Sequence, residues 1–312
     1  MAYYKDVRKL LMKKALFLGI AGSFFFAFTF ILNRSMNLSG GHWIWSAALR
    51  YLFTLPLMAV IVRKRYGFEG IHSALKKDYK GWLLWSTIGF GLFYAPLSFA
   101  GNHGESWLVA SCWQITIVAG IFLSPLFGKK IPVRNLLAAA VILAGIFLLE
   151  FKHVKEMDLS LISRLLFPIL IAAVSYPLGN RKMMELCGRE ISTVERVYGM
   201  TLFSIPFWLA LSLYGLVKAG PPSVSQTVQS FCTALFSGVI ATLLFFRATD
   251  LVKSNPKQLA VVESTQSGEV IFTLIGGILL LGDGMPDPAG FMGIFLIIFG
   301  MILNSVLSAG QE

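Results

Sequence analysis

Uncharged apolar runs recur along this chain, and several are long enough to cross a bilayer. No charge interrupts 15–33, 197–217, 228–246 or 288–308, and a hydrocarbon-spanning helix needs about 20 such residues. Inside hydrocarbon each backbone N–H and C=O must find its partner within the segment or in a closed barrel. These runs lack the alternation of a barrel strand, so they predict helices. The whole composition agrees. Hydrophobic residues make up 56% of the 312 positions, charged residues 14%, and the mean hydropathy is +0.70, whereas soluble domains run at roughly 45–50% and about 25%. The fold class is an all-α integral membrane protein.

Apolar runs read against turn and charge punctuation predict ten transmembrane helices, near 15–34, 42–62, 82–101, 106–127, 132–150, 161–180, 195–217, 228–248, 257–281 and 288–308. The fifth and sixth have short uncharged stretches, so Arg134 and Arg164 have to snorkel at their ends. Lys5, Arg8, Lys9, Lys13 and Lys14 precede the first run. That run is longer than a signal-peptide core and no A-x-A-like site follows, so it reads as a retained span.

Orientation follows from the basic residues. With the N-terminus inside, 21 of the 27 Lys and Arg fall on cytoplasmic segments and five (Arg34, Lys152, Lys155, Arg164, Lys218) on outer ones, while Arg50 lies within the second span. This is the positive-inside pattern. The net charge of +11 is therefore topological and calls for no nucleic-acid partner. The expected location is the plasma or inner membrane, multi-pass, with both termini cytoplasmic.

The two halves resemble each other. GSFFFAFTFILNRSM ends the first span as ILIAAVSYPLGNRKM ends the sixth; Arg50 with Pro56 is matched by Arg196 with Pro206; SPLFGKKIPVRN and LLLGDGMPDPAG both leave a helix through Leu-x-Gly and a proline. These matches in the same order predict two five-helix repeats, 1–153 and 154–312. Five crossings per repeat invert the second copy, which supplies two near-equivalent states facing opposite sides.

Ten spans, the five-plus-five repeat, ALRYLFTLPL in the second span, GGILLLGD closing the ninth and the stretch SNPKQLAVVESTQSGEVIFTLIGGILLLGDGMP resemble the drug/metabolite transporter superfamily, most closely its multidrug-resistance efflux branch. The resemblance implies alternating access through a cavity between the halves, driven by an ion gradient or by exchange. Small exporters of that superfamily carry a proton-linked glutamate in the first span. Here 15–33 has no carboxylate, so a coupling residue has to lie elsewhere.

A charge deep in a span is costly and points to function. Three qualify: Arg50, Glu263 and Glu269. Glu269 falls near the middle of the ninth span and Glu263 about 9 Å nearer the cytoplasm by the helical rise, with Gln266 between them in ESTQSGE. Such a run suits a water-filled cavity. The plainer readings are that Arg50 is a fixed counter-ion to Glu263 or Glu269, and that Glu263 is a helix-end charge. Trp113, Gln114, Tyr94 and Tyr176 can stack on or hydrogen-bond an organic substrate, or simply pack. Trp43, Trp45 and Trp107 fit an interfacial belt, and Pro56, Pro96, Pro168, Pro177 and Pro206 fall within spans.

No other chemistry is announced. Cys112, Cys187 and Cys232 are singletons, the four histidines are scattered, and no G-x-x-x-x-G-K-[ST] loop occurs, so neither a metal, a cofactor nor ATP is expected. The leading function is secondary transport of small organic molecules, with efflux of amphipathic or cationic compounds first and protons as the candidate coupling ion. A metabolite or amino-acid carrier, with Arg50 gripping a carboxylate, is the rival. A membrane-embedded lipid-modifying enzyme is the alternative of another class. Monomer and homodimer stand equal.

The topology carries a direct check. Cysteine labelling should place 67–78 and 183–190 inside and 151–160 and 219–226 outside; labelling of Lys155→Cys from the cytoplasm would overturn the ten-span arrangement.

Overall fold

The computed structural model describes residues 2–155, 159–188, 190–252 and 255–308. They form α1 (Ala2–Leu38), α2 (Trp43–Arg65), a short α3 (Glu69–Lys77), α4 (Tyr79–Ala100), α5 (Ser106–Phe122, with a break at Gln114), α6 (Val133–Lys155), α7 (Leu159–Cys187), α8 (Thr193–Ala219), α9 (Val224–Asp250), α10 (Lys257–Leu281) and α11 (Pro288–Ser308). No strand occurs among the described residues.

Each run predicted to span falls on one of these helices. Among the described residues seven are long and apolar enough to cross a membrane: α1 from Leu10, α2, α4, α8, α9, α10 and α11. The apolar parts of α5 and α6 are shorter. The protein is thus an all-helical, multi-pass membrane protein. α3 is different in kind. It is amphipathic, burying Ile71 and Leu75 while Lys76 and Lys77 stay exposed, as suits a helix lying along a surface.

The helices pack into two compact units. One comprises Met1–Ile31, Ser106–Asp158 and Ile240–Glu312; the other comprises Leu32–Glu105 and Leu159–Val239. Both draw on both halves of the sequence, and α1 and α9 contribute to each. The predicted repeat boundary at 153/154 is followed by residues 156–158, which lie outside the described residues.

In the first unit α6 and α11 pack along their lengths, and glycine makes this approach possible. A Cβ on Gly145 would lie 2.7 Å from the Gly293 carbonyl oxygen, and a Cβ on Gly293 would lie 2.7 Å from that of Gly145. Lipid supplies no hydrophobic drive between helices, so close backbone approach and dispersion hold them. At one end Asn135 Nδ2 donates to the Asn304 side chain (2.7 Å) and to Ser308 Oγ (2.9 Å). In the second unit α2 packs on α8 and α4 on α7, the latter pair crossing where Gly89 meets Gly179.

Three helices contain wide, π-helical turns: Thr87–Gly91 in α4, Ala234–Ala241 in α9 and Gly277–Leu281 in α10. Each inserts residues into the i→i−4 ladder without breaking the chain's hydrogen bonding, as with Leu92 N–H to Thr87 O. All five expected prolines lie inside helices.

The glycine crossing has a testable consequence. Gly293→Ala should force α6 and α11 apart and cost about 1–3 kcal/mol, read as a lower melting temperature of the solubilised protein. Gly22→Ala, whose added Cβ would make only ordinary 3.4 Å contacts, should leave it unchanged.

Candidate functional site

In α10 the polar run interrupts the helix. Its first α-helical part ends at Glu263, Ser264–Ser267 form a 3-10 turn, and the α-helix resumes at Gly268. The hydroxyls explain the tightening. Ser264, Thr265 and Ser267 each donate to the carbonyl three residues back, those of Val261, Val262 and Ser264, at 2.6–2.8 Å. They favour the three-residue repeat over the α pitch. In a 3-10 turn residues three apart eclipse, so Glu263 and Gln266 fall in line and Glu269 follows one turn on. All three are half-buried.

α1 packs against this segment through small residues. Ser23 Oγ donates to the Thr265 carbonyl at 2.5 Å and to the Gly19 carbonyl at 2.9 Å. A Cβ on Gly19 would collide with the Thr265 hydroxyl. Ser23 therefore adds a donor from another helix to a carbonyl that the Gly268 N–H already engages, a role not apparent from one serine in an apolar span. Aromatic rings flank the contact, with Phe24 edge-on to Phe272 at 5.4 Å and Phe26 to Phe245 at 6.2 Å.

Trp113 and Gln114 lie at the break in α5, and both are buried. Gln114 Nε2 donates to the Ala110 carbonyl at 3.0 Å, so part of its hydrogen-bonding capacity serves its own helix. α5 packs on α10. Among the described residues no group of three or more His, Cys, Asp or Glu could hold a metal ion.

The second unit assembles a different constellation. Arg50 is buried in α2, and its guanidinium carbon lies 4.0 Å from the centre of the Tyr94 ring and 5.9 Å from that of Tyr51. Tyr94 is fully buried, and its hydroxyl accepts from Asn33 Nδ2 at 3.1 Å. Tyr51 stacks on Trp208 with centroids 4.5 Å apart and planes 9° apart, and Trp208 Nε1 donates to Ser204 Oγ at 3.0 Å. Phe90 completes the surround, 5.2 Å from Tyr51. Tyr176 is more exposed and touches this group through Phe93, at 4.8 Å.

The predicted site residues thus divide. Glu263, Gln266, Glu269, Trp113 and Gln114 belong to the first unit; Arg50, Tyr94 and Tyr176 to the second. Tyr51, Trp208 and Asn33 were not singled out by sequence, although Tyr51 adjoins Arg50 and Asn33 sits in the repeated Asn-Arg pair. Trp45 and Trp107 do more than populate an interface. Both are buried, and their indole N–H groups hold the carbonyls of Gly220 (2.9 Å) and Gly284 (3.0 Å).

A cavity of about 680 Å³ lies at the lysine-rich end of the second unit, lined by Ser73, Lys77, Asp78, Lys182, Glu185 and Cys187 among others. Lys182 and Glu185 form an ion pair at 2.9 Å. Burial pushes the Cys187 thiol up to about 11, leaving little thiolate at neutral pH and hence a poor nucleophile.

The motif that closes the ninth span has a structural use. Gly282 turns the chain at φ 68°, and buried Asp283 then caps α5: its carboxylate accepts from Ser106 N–H at 2.9 Å and Ser106 Oγ at 2.6 Å.

Comparison with known proteins gives a consistent picture. The family profile described as "EmrE: Putative multidrug resistance efflux transporter" matches residues 13–310, in agreement with the resemblance carried by the sequence motifs. The chain is 48% identical over 312 residues to "Uncharacterized protein YjlA" of Bacillus subtilis (strain 168), covering 96% of both chains. It is 46% identical over 266 residues to "Uncharacterized 42.1 kDa protein in intracellular alkaline protease 3'region" of Shouchella clausii, covering 82% of this chain and 70% of that one.

The Asp283 cap is open to test. Asp283→Ala leaves both Ser106 donors without this acceptor and should cost about 1–3 kcal/mol, seen as a lower melting temperature; Asp283→Asn, which keeps one acceptor oxygen, should lose less.

Proposed function

Because the chain belongs to the multidrug-resistance efflux transporter family, we propose that it exports small amphipathic organic molecules by alternating access, with Glu269 carrying the proton that couples the cycle. The cargo is a small molecule and the setting a lipid bilayer, as for the family. In this reading ten crossings form two inverted repeats, 1–153 and 154–312, in the plasma or inner membrane with both termini in the cytoplasm.

Several features support the repeat. The wide turns of α4 and α9 begin at Thr87 and Ala234, 147 residues apart, the same offset as Asn33 to Asn180. Gly128 and Gly282, each closing a Leu-x-Gly, both have φ 68°. Helices that the repeat makes equivalent, α2 with α8 and α6 with α11, pack on each other, and Gly145 and Gly293 approach reciprocally. A local two-fold relation produces such self-pairing.

The observation that carries the coupling is the line of Glu263, Gln266 and Glu269 along one polar strip inside a span. Desolvation favours the protonated form of a carboxyl, and a nearby cation or an opened aqueous path favours the ionised form. A mid-span glutamate that meets the two environments in turn can take up a proton on one side and release it on the other.

The reading is tested in liposomes with purified protein. Glu269→Gln should abolish transport driven by a pH gradient while leaving the melting temperature near that of the parent, and Glu263→Gln, nearer the inner end, should be milder. Full pH-driven transport by Glu269→Gln would remove this residue from the mechanism.

A further inference from the structure

We infer that the cavity at the lysine-rich end of the second unit is a headgroup site for a zwitterionic phospholipid, one that carries both a phosphate and an ammonium. The inference rests on the membrane setting and not on the transport reading, and its residues are distinct from Glu269 and Arg50.

The space is made by small residues on one helix. Its volume of about 680 Å³ is within the range of sites that hold small molecules. α3 lines it with Gly70, Ser73, Ala74 and Lys77, positions i, i+3, i+4 and i+7, which fall on one helical face. The adjoining face is buried through Ile71 and Leu75, and a Cβ on Gly199 would lie 3.1 Å from Ile71 Cδ1. α3 is thus docked on α8 by its apolar stripe, while the small side chains of the next stripe leave room beside it. The end of α7 and the turn into α8 supply further walls, with Lys182, Glu185 and Glu190.

The charges around the cavity call for a ligand of both signs. Asp78 is engaged in capping α4, its carboxylate accepting from the Gly81 N–H at 2.9 Å. Glu185 is paired with Lys182 at 2.9 Å. The Lys77 ammonium and the Glu190 carboxylate remain, and neither has a hydrogen bond or ion pair among the described residues. A ligand with only a negative group is repelled by the acid, and one with only a positive group by the amine. A phosphate and an ammonium on one headgroup satisfy both. Trp85, half-buried in the same lining, adds an indole, whose π-face attracts an ammonium.

Depth and surroundings assign the zwitterion to a lipid. Arg63, Lys64 and Arg65 end α2, and Lys76 and Lys77 end α3, which marks this as the level where the helices leave the apolar layer. Asp78 stands at the start of α4, and Trp85 lies about 10 Å further along it by the helical rise. The lining therefore runs from the interface into the span, as a headgroup and its glycerol do. Leu83 and Leu84, beside Trp85 in the chain, and Met184, beside Glu185, are exposed apolar side chains, on which acyl chains can lie. A free zwitterion has no use for them. A headgroup held in the cavity links α3 to the turn between α7 and α8.

The test titrates the purified full chain in detergent with lipids of identical acyl chains, read by native mass spectrometry. The probes are phosphatidylethanolamine, phosphatidylglycerol, which has the phosphate without the ammonium, and diacyl trimethylammonium-propane, which has the cation without the phosphate. Phosphatidylethanolamine should bind about threefold or more tighter than either, the scale of an exposed charge pair. Lys77→Gln should erase its advantage over the cationic lipid, and Glu190→Gln its advantage over phosphatidylglycerol. A purely structural role of these exposed residues would shift the lipids together, and that result overturns the inference. Ser73→Leu, which fills the cavity from an exposed position, should weaken phosphatidylethanolamine binding about tenfold, whereas Lys218→Gln, at the far end of α8, should leave it unchanged. O-phosphoethanolamine, the headgroup without chains, should compete only at about tenfold or greater excess; competition at equal concentration makes this a site for a soluble zwitterion and overturns the lipid assignment. Equal or tighter binding of phosphatidylglycerol, the result of general attraction to the basic end, overturns the inference, as does no binding of any lipid. Should a variant not fold, the order of the lipids on the parent protein still decides.

Discussion

The backbone's need for hydrogen bonds in a medium that offers none governs this molecule. Each peptide group placed in hydrocarbon must be satisfied within its own helix or by a neighbour pressed against it. Everything irregular in the structure obeys that demand. The wide turns in α4, α9 and α10 keep their N–H groups bonded through longer rings. The 3-10 turn of α10 has hydroxyls on its carbonyls, and Ser23 reaches over from α1 to serve one of them. Where a helix begins beside another's end, a side chain supplies the missing partner, as Asp283 does for Ser106.

Helix contacts in lipid depend on close approach, and this explains where glycine stands. At Gly145 with Gly293 and at Gly89 with Gly179 the backbones come so near that a methyl group would meet a main-chain atom. Dispersion between backbones, together with a few polar ties such as Asn135 to Asn304, then does what apolar burial does in water. Large aromatic residues serve elsewhere: Tyr94, Tyr51 and Phe90 pack around Arg50, and π-faces suit a guanidinium.

Two kinds of polar element are embedded in the spans, and they differ in character. The strip on α10 carries two carboxylates and an amide, on a segment whose helix geometry changes within one turn. The cluster on α2, α4 and α8 carries a guanidinium set among packed rings.

By itself the sequence determined the helical class, the membrane setting and the approximate position of each helix, because apolar run length against bilayer thickness is a local property. It underestimated helix ends. α1 extends over Ala2–Leu38 where 15–34 was expected, and α7 runs on to Cys187 past Arg181 and Lys182, since charges end a membrane crossing without ending a helix. It also located Arg50, Glu263, Gln266 and Glu269, because a charged or amide side chain inside an apolar run is conspicuous. Only the tertiary structure decided what those residues meet. Tyr94 lies 44 residues beyond Arg50, and Trp208 far beyond that; nothing local in either stretch states that they share a site. The wide turns, the 3-10 turn and the reciprocal glycine crossing were likewise beyond reach, because each depends on a neighbouring helix close enough to take up the hydrogen bonds or the space that regular geometry would have claimed.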